Sequence, residues 1–191
     1  HYVDLEREAV VWNVFAAPEL ALEPLSWCYP VAGCAAYRGY FSEQQAQDYA
    51  SGLSAQGNDS YVGGVAAYST LGWLNDPILN TFVFRDELQL ADLLFHELAH
   101  KLLYVPGDTV FNESFATAVA AEGVRRWVER RDSPEQYQRY QRSATEQADF
   151  VQLVNDYRAR LSDLYESAYS DDEKRVEKSG LIESLRTDFK S

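Results

Sequence analysis

The chain has 191 residues, 46% of them hydrophobic and 14% aromatic, which is the apolar content of a folded core and not of a disordered or fibrous chain. Against 17 Lys and Arg stand 30 Asp and Glu, a net charge of −13, so a nucleic-acid backbone or an anionic membrane would meet net repulsion and neither is expected as a partner. No stretch approaches the roughly 20 apolar residues of a membrane span, and the opening HYVDLEREAV has neither the cationic start nor the apolar run of a signal peptide.

The first third reads as β-rich, with a strand over residues 10–15 (VVWNVF), a Pro-punctuated connection and a second apolar run over 31–37. Cys28 and Cys34 stand six apart in WCYPVAGC, a spacing that a tight hairpin can bridge with a disulfide; the alternative is a pair of buried thiols. A disulfide would point to an oxidising compartment. Ser42, with Gln45 three positions on, opens a helix that runs through Leu53 and stops at Gly57 and Asn58. Residues 60–68 (SYVGGVAAY) read as a strand in which Gly63 and Gly64 suggest a bulge or a close backbone approach. A loop over 69–80 follows.

From Asp86 the apolar period becomes helical, with Asp86 as N-cap, Gln89 completing a capping-box pattern, and Leu90, Leu93, Leu94 and Leu98 on the apolar positions. Pro106 and Gly107 end that helix. Asp108 caps a second helix to about Arg131, and Ser133 with Pro134 starts a third. The last sixty residues are helical and polar, with a narrow apolar stripe at Tyr137, Tyr140, Ala144, Val151, Val154, Leu161 and Tyr165 that reads as a core seam. A division follows, with a core over 1–132 and a helical C-terminal extension over 133–191 that packs on it.

Apart from His1, the histidines are His96 and His100, four apart in HELAH on the helix just assigned. A spacing of four stacks both imidazoles on one helix face, where both can reach one zinc ion. Glu97 is turned about 100° from His96. Its carboxylate therefore stands beside the metal, where it can take a proton from an attacking water and later pass it to a leaving amine. Catalytic zinc needs a third protein ligand. A metzincin would continue with Gly and a third His, but Leu103 and Pro106 occupy those places and the chain has no Met for a Met-turn. The acidic option is Glu113 in FNESFAT, with twelve residues between it and His100; Asp108 is the nearer competitor. Glu113 is preferred on packing grounds. Ala116, Thr117 and Ala120 beyond it are small enough to let the two helices approach, Phe115, Val119 and Trp127 would anchor a neighbouring face, and Asp108 suits the N-cap.

The stretches WNVFAAPE, WCYPVAGCAAYRGYF, YVGGVAAYSTLGW and FHELAHKLLYVPGDTVFNESFATAVAAEGVRRW resemble a bacterial family of zinc aminopeptidases with the zincin-like fold, over residues 10–127. The resemblance implies a gluzincin-type peptidase with zinc on His96, His100 and Glu113 and with Glu97 as general base. It also implies export, to the periplasm or to a lipoprotein anchor at the cell envelope, through an N-terminal segment outside these 191 residues.

An oxyanion donor besides the metal is expected. Tyr68, at the end of the Gly-containing strand, is the first choice, with Tyr104, Tyr37 and Arg38 as alternatives. The run over 61–68 is either an edge strand along which a peptide lies or an ordinary core strand, and Trp73 and Asp76 could rim the cleft. The expectation is an α+β, zincin-like chain: a small twisted sheet packed on the HELAH helix, the Glu113 helix beneath it, and a long helical C-terminal region. It would bind one zinc and hydrolyse peptides without a covalent enzyme intermediate. The competing reading is a non-catalytic interaction module, zinc-stabilised or metal-free, that binds a partner through its helical tail.

Overall fold

Four of the helices start where a side chain satisfies the first free backbone N–H groups. In the computed structural model, which describes residues 2–29, 33–67, 77–105, 107–131 and 133–190, Ser42 accepts from the Gln45 N–H and opens α1 (Glu43–Ser54). Asp86 accepts from Leu88 N–H and opens α3 (Glu87–Leu102). Asp108 accepts from Phe111 N–H and opens α4 (Thr109–Arg130). Helix α5 (Pro134–Glu166) begins at the proline, and α6 (Asp171–Asp188) begins with a full capping box between Ser170 and Glu173. The short α2 (Asn80–Val83) precedes Asp86. Among the described residues no helix is long and apolar enough to cross a membrane.

The chain forms two compact units, each assembled from two separated stretches. One comprises residues 11–65 and 145–191. Its centre is a three-stranded antiparallel sheet in the order β5 (Arg38–Tyr40), β2 (Val11–Pro18), β6 (Asn58–Val65). Trp12, Val14 and Ala16 alternate along β2 as its buried face, and α1 packs on β2 and β6 with Ala46, Ala50 and Leu53 buried. A separate hairpin pairs β3 (Trp27–Tyr29) with β4 (Gly33–Ala35), placing Cys28 opposite Cys34 in a disulfide. The second apolar run of the sequence is therefore not one strand: β4 and β5 flank residues 36 and 37. Nor is there a bulge at Gly63 and Gly64. The β2–β6 register runs unbroken from Val11↔Val65 to Pro18↔Asn58. Gly63 instead makes room for a ring, since a Cβ there would stand 3.0 Å from Tyr61 Cε1.

In the same unit α6 is tied to the sheet's end. Arg175 Nε donates to Glu19 Oε2 (2.9 Å), and Lys178 Nζ donates to the Glu19 carbonyl (2.6 Å) and pairs with Asp59. Tyr157, Leu161 and Leu164 are the buried positions of α5. Val151 and Val154, expected in the core seam, are 47% and 37% exposed. The stripe's three-, four- and seven-residue steps match a helical seam, but its middle is left partly exposed.

The other unit comprises residues 1–10 and 66–144. Here β1 (Tyr2–Val3) pairs in parallel with β7 (Ile78–Leu79), and the Asn80 carboxamide clamps Leu5, accepting from its N–H (2.8 Å) and donating to its carbonyl (3.0 Å). Helix α3 packs along α4. Their core is Leu88, Val124 and Val128, with Ala91, Phe95, Trp127, Tyr137 and Tyr140 against it. Ala116 and Ala120 are buried as the small-residue argument requires, whereas Thr117 is exposed. The helices also approach closely at Gly123, where a Cβ would lie 2.8 Å from the Phe95 ring.

Candidate metal centre

Two helices bring together the three side chains expected as ligands. His96 and His100, one turn apart on α3, put their Nε2 atoms 3.2 Å from each other, with the rings edge-on. Glu113 comes from the second turn of α4. Its Oε2 lies 3.2 Å from His96 Nε2 and its Oε1 lies 3.6 Å from His100 Nε2. One ligand atom from each residue falls within 4.8 Å of the others, and the group could hold a metal ion. Asp108 is not among these ligands; its carboxylate caps α4 through Phe111 N–H at 3.0 Å.

Burial is graded across the group. His100 is buried, His96 is partly covered and Glu113 is exposed. Nδ1 of His100 is enclosed, with no hydrogen-bond partner among the described residues. Glu97 lies between the two histidines in sequence, half-buried, and turned from His96 by the helix pitch.

Side chains around the centre fix the helices that carry it. The Tyr140 hydroxyl, from the start of α5, donates to Asp92 Oδ1 (3.1 Å), one turn before His96 on α3. Burial first, and then the Asp92 charge, raises the Tyr140 hydroxyl above its ordinary value. Farther along α4, hydrogen bonds from Arg125 and Arg126 hold the Glu122 carboxyl down at about 2. Asn112, which the sequence reading passed over, is 2% exposed. Its Oδ1 accepts from the Val105 N–H and its Nδ2 donates to the Val105 carbonyl, both at 2.8 Å. The signal was an Asn one residue before the ligand, but its partner is a backbone group seven residues upstream, which no side-chain pattern marks.

Of the expected oxyanion donors, Tyr104 has its ring centroid 6.5 Å from that of His100. Tyr37 packs on Phe15 (5.8 Å) and Arg38 lies over the Tyr49 ring (4.8 Å), both in the sheet unit. Tyr68, Trp73 and Asp76 lie outside the described residues.

The whole chain, residues 1–191, matches the family described as "Putative aminopeptidase". No curated protein and no solved structure matches it.

Proposed function

The chain belongs to the family so described, and from that premise we propose that it is a zinc-dependent peptidase of the zincin type, with His96, His100 and Glu113 as the ligands and Glu97 as general base. The observation that carries this is the convergence of the three side chains. In a tetrahedral site with bonds of 2.0–2.1 Å, two ligand atoms are about 3.3 Å apart; here the two imidazole Nε2 atoms are 3.2 Å apart, and the Glu113 carboxylate reaches His96 Nε2 with Oε2 at 3.2 Å and His100 Nε2 with Oε1 at 3.6 Å. Two imidazole nitrogens and one carboxylate are also a donor set suited to a catalytic zinc that keeps a position open. A zinc ion bound there supplies Lewis-acid polarisation of a substrate carbonyl and makes water more acidic.

The remaining chemistry belongs to the chain. Glu97 accepts the proton of the attacking water and returns it to the leaving amine. A tyrosine hydroxyl hydrogen-bonds the oxygen on which negative charge develops. Tyr68 is the donor proposed from sequence, and proximity to His100 supports Tyr104 beside it. The substrate is a peptide, and the family description favours removal of N-terminal residues. The Cys28–Cys34 disulfide supports a location in the oxidising cell envelope.

The test pairs metal content with one isosteric change. The parent chain takes up one zinc and cleaves peptides. Glu97→Gln keeps the zinc and loses hydrolysis by about 100-fold or more. A parent chain that takes up no ion, or a Glu97→Gln chain that cleaves at the parent rate, overturns the reading and leaves the non-catalytic module.

A further inference from the structure

Glu113 sits on a helix whose rotation about its own axis decides whether the carboxylate meets the two imidazoles. Neighbouring residues on a helix project about 100° apart, so whatever fixes the direction of residue 112 also fixes that of residue 113. Asn112 is fixed twice. Its carboxamide offers a donor and an acceptor in one plane and engages both polar groups of Val105, N–H to Oδ1 and Nδ2–H to carbonyl, at 2.8 Å each. Val105 lies three residues past the end of α3, so the clamp joins the outgoing end of the His100 helix to the second turn of the Glu113 helix. The Val105 carbonyl also accepts from Asp108 N–H (3.2 Å), and the Asp108 carbonyl accepts from Asn112 N–H (3.1 Å), closing the connection on itself. At 2% exposure the carboxamide is sheltered from competing water.

We propose that Asn112 is a positioning residue for the third metal ligand: by clamping Val105 it sets the azimuth of α4 so that Glu113 faces His96 and His100. The inference rests on the reading of these three residues as a metal site. It adds a residue that touches neither metal nor substrate and acts through Glu113.

A second clamp in the same unit provides the control. Asn80 grips Leu5 by the same two hydrogen bonds, but just past the ends of β7 and β1 and on none of the three ligand-bearing turns. Zinc affinity would be measured by competition with a chromophoric chelator, using Zn(II) alone, alongside thermal unfolding by circular dichroism. The set is the parent, Asn112→Ala, Asn112→Ser, Asn80→Ala, Glu113→Ala and the double variant Asn112→Ala/Glu113→Ala. Asn112→Ala weakens zinc binding by about 10- to 100-fold, the range for an outer partner of a metal ligand. Asn112→Ser, which keeps one hydroxyl for Val105, weakens it less. Asn80→Ala lowers the unfolding temperature and leaves zinc affinity within about twofold, and on the Glu113→Ala background Asn112→Ala changes affinity by no more than about twofold, because its route to the metal is already gone.

The proposal is overturned if Asn112→Ala binds zinc like the parent, or if it costs the same affinity with and without Glu113. It is also overturned if both Asn112 variants fail to fold, which would make the clamp a requirement of the whole unit and not of one ligand. A parent chain that takes up no zinc overturns the metal reading itself. A parent that binds, with Glu113→Ala impaired and Asn112→Ala unimpaired, overturns this inference alone.

Discussion

The two units bury different chemistry. The sheet unit fills its interior with Trp12, Val14, Ala16, Ala46, Ala50 and Leu53, and with Tyr157, Leu161 and Leu164 from α5. Its ion pairs, Arg175–Glu19 and Lys178–Asp59, have exposed carboxylates. The helix-pair unit buries Leu88, Val124 and Val128 and also, within the same fold, His100 and Asn112. Burying a polar group costs free energy unless it finds a partner. Asn112 finds two, whereas the enclosed Nδ1 of His100 has none among the described residues. The sheet unit's buried side chains are apolar apart from the Tyr157 hydroxyl, while the helix pair buries an imidazole and a carboxamide. That polar burial coincides with the candidate metal centre and calls for an explanation beyond packing.

The comparison predicts that substitutions in the helix pair move metal binding and that substitutions in the sheet unit move stability alone. The largest effect is at Glu113. Glu113→Ala should weaken zinc retention by more than the about 10- to 100-fold typical of an outer partner, and Asp108→Ala, which removes only a helix cap, by far less. Chelator competition on both variants checks this, and the opposite ranking would reassign the third ligand to Asp108. Next is Gly123→Ala. Its new Cβ would meet the Phe95 ring at 2.8 Å, forcing α3 and α4 apart at a cost of about 1–3 kcal/mol. Urea unfolding measures that cost, and zinc affinity should fall with it. In the sheet unit, replacing Cys28 and Cys34 together by Ser opens a short loop and should cost about 2 kcal/mol in the chain-entropy account. Zinc affinity should be untouched. A loss of metal binding in that double variant would break the division between the units.

How much of this was legible in the sequence depends on the range of the interaction that decides it. Ser42, Asp86 and Asp108 mark helix starts because a cap bonds to backbone within three residues, Pro134 marks one because its fixed φ suits the first turn, and the helices start there. The choice of Glu113 over Asp108 follows the same logic, since a carboxylate engaged by Phe111 N–H is not free to turn to a metal. Side-chain shape and longer-range effects were not legible. Gly63 suggested a bulge or a close backbone approach, but what it makes room for is the ring of Tyr61, two residues away on the same strand. The stripe through Val151 and Val154 has helical spacing, but spacing does not say whether a neighbour arrives to cover it. The interleaving of residues 1–10 with 66–144, and of 11–65 with 145–191, leaves no trace in local composition. Asn112 belongs to the same class, since its two bonds close a loop through backbone atoms that carry no sequence label.

The smallest predicted effect tests the boundary of the helix-pair unit. Tyr140 belongs to α5, yet its hydroxyl donates to Asp92 on α3 and its ring packs on the Leu88–Val124–Val128 core. Tyr140→Phe keeps the ring and removes the hydrogen bond, so it should cost about 1 kcal/mol. The variant also carries a pH signature. In the unfolded chain a tyrosine loses its proton near pH 10, while in the fold burial raises the Tyr140 hydroxyl above that value. Above about pH 10 the folded chain therefore holds a proton that the unfolded chain has released, and stability falls as pH rises. The contribution is fully present below that pH and is lost on the way up through the raised value. Tyr140→Phe cannot titrate there, so its stability should decline less steeply than the parent's between about pH 9 and pH 11, as read by urea unfolding at each pH. Parallel decline would mean that the Tyr140 hydroxyl is as free in the fold as in the unfolded chain, and that the start of α5 is not held to the helix that carries His96 and His100.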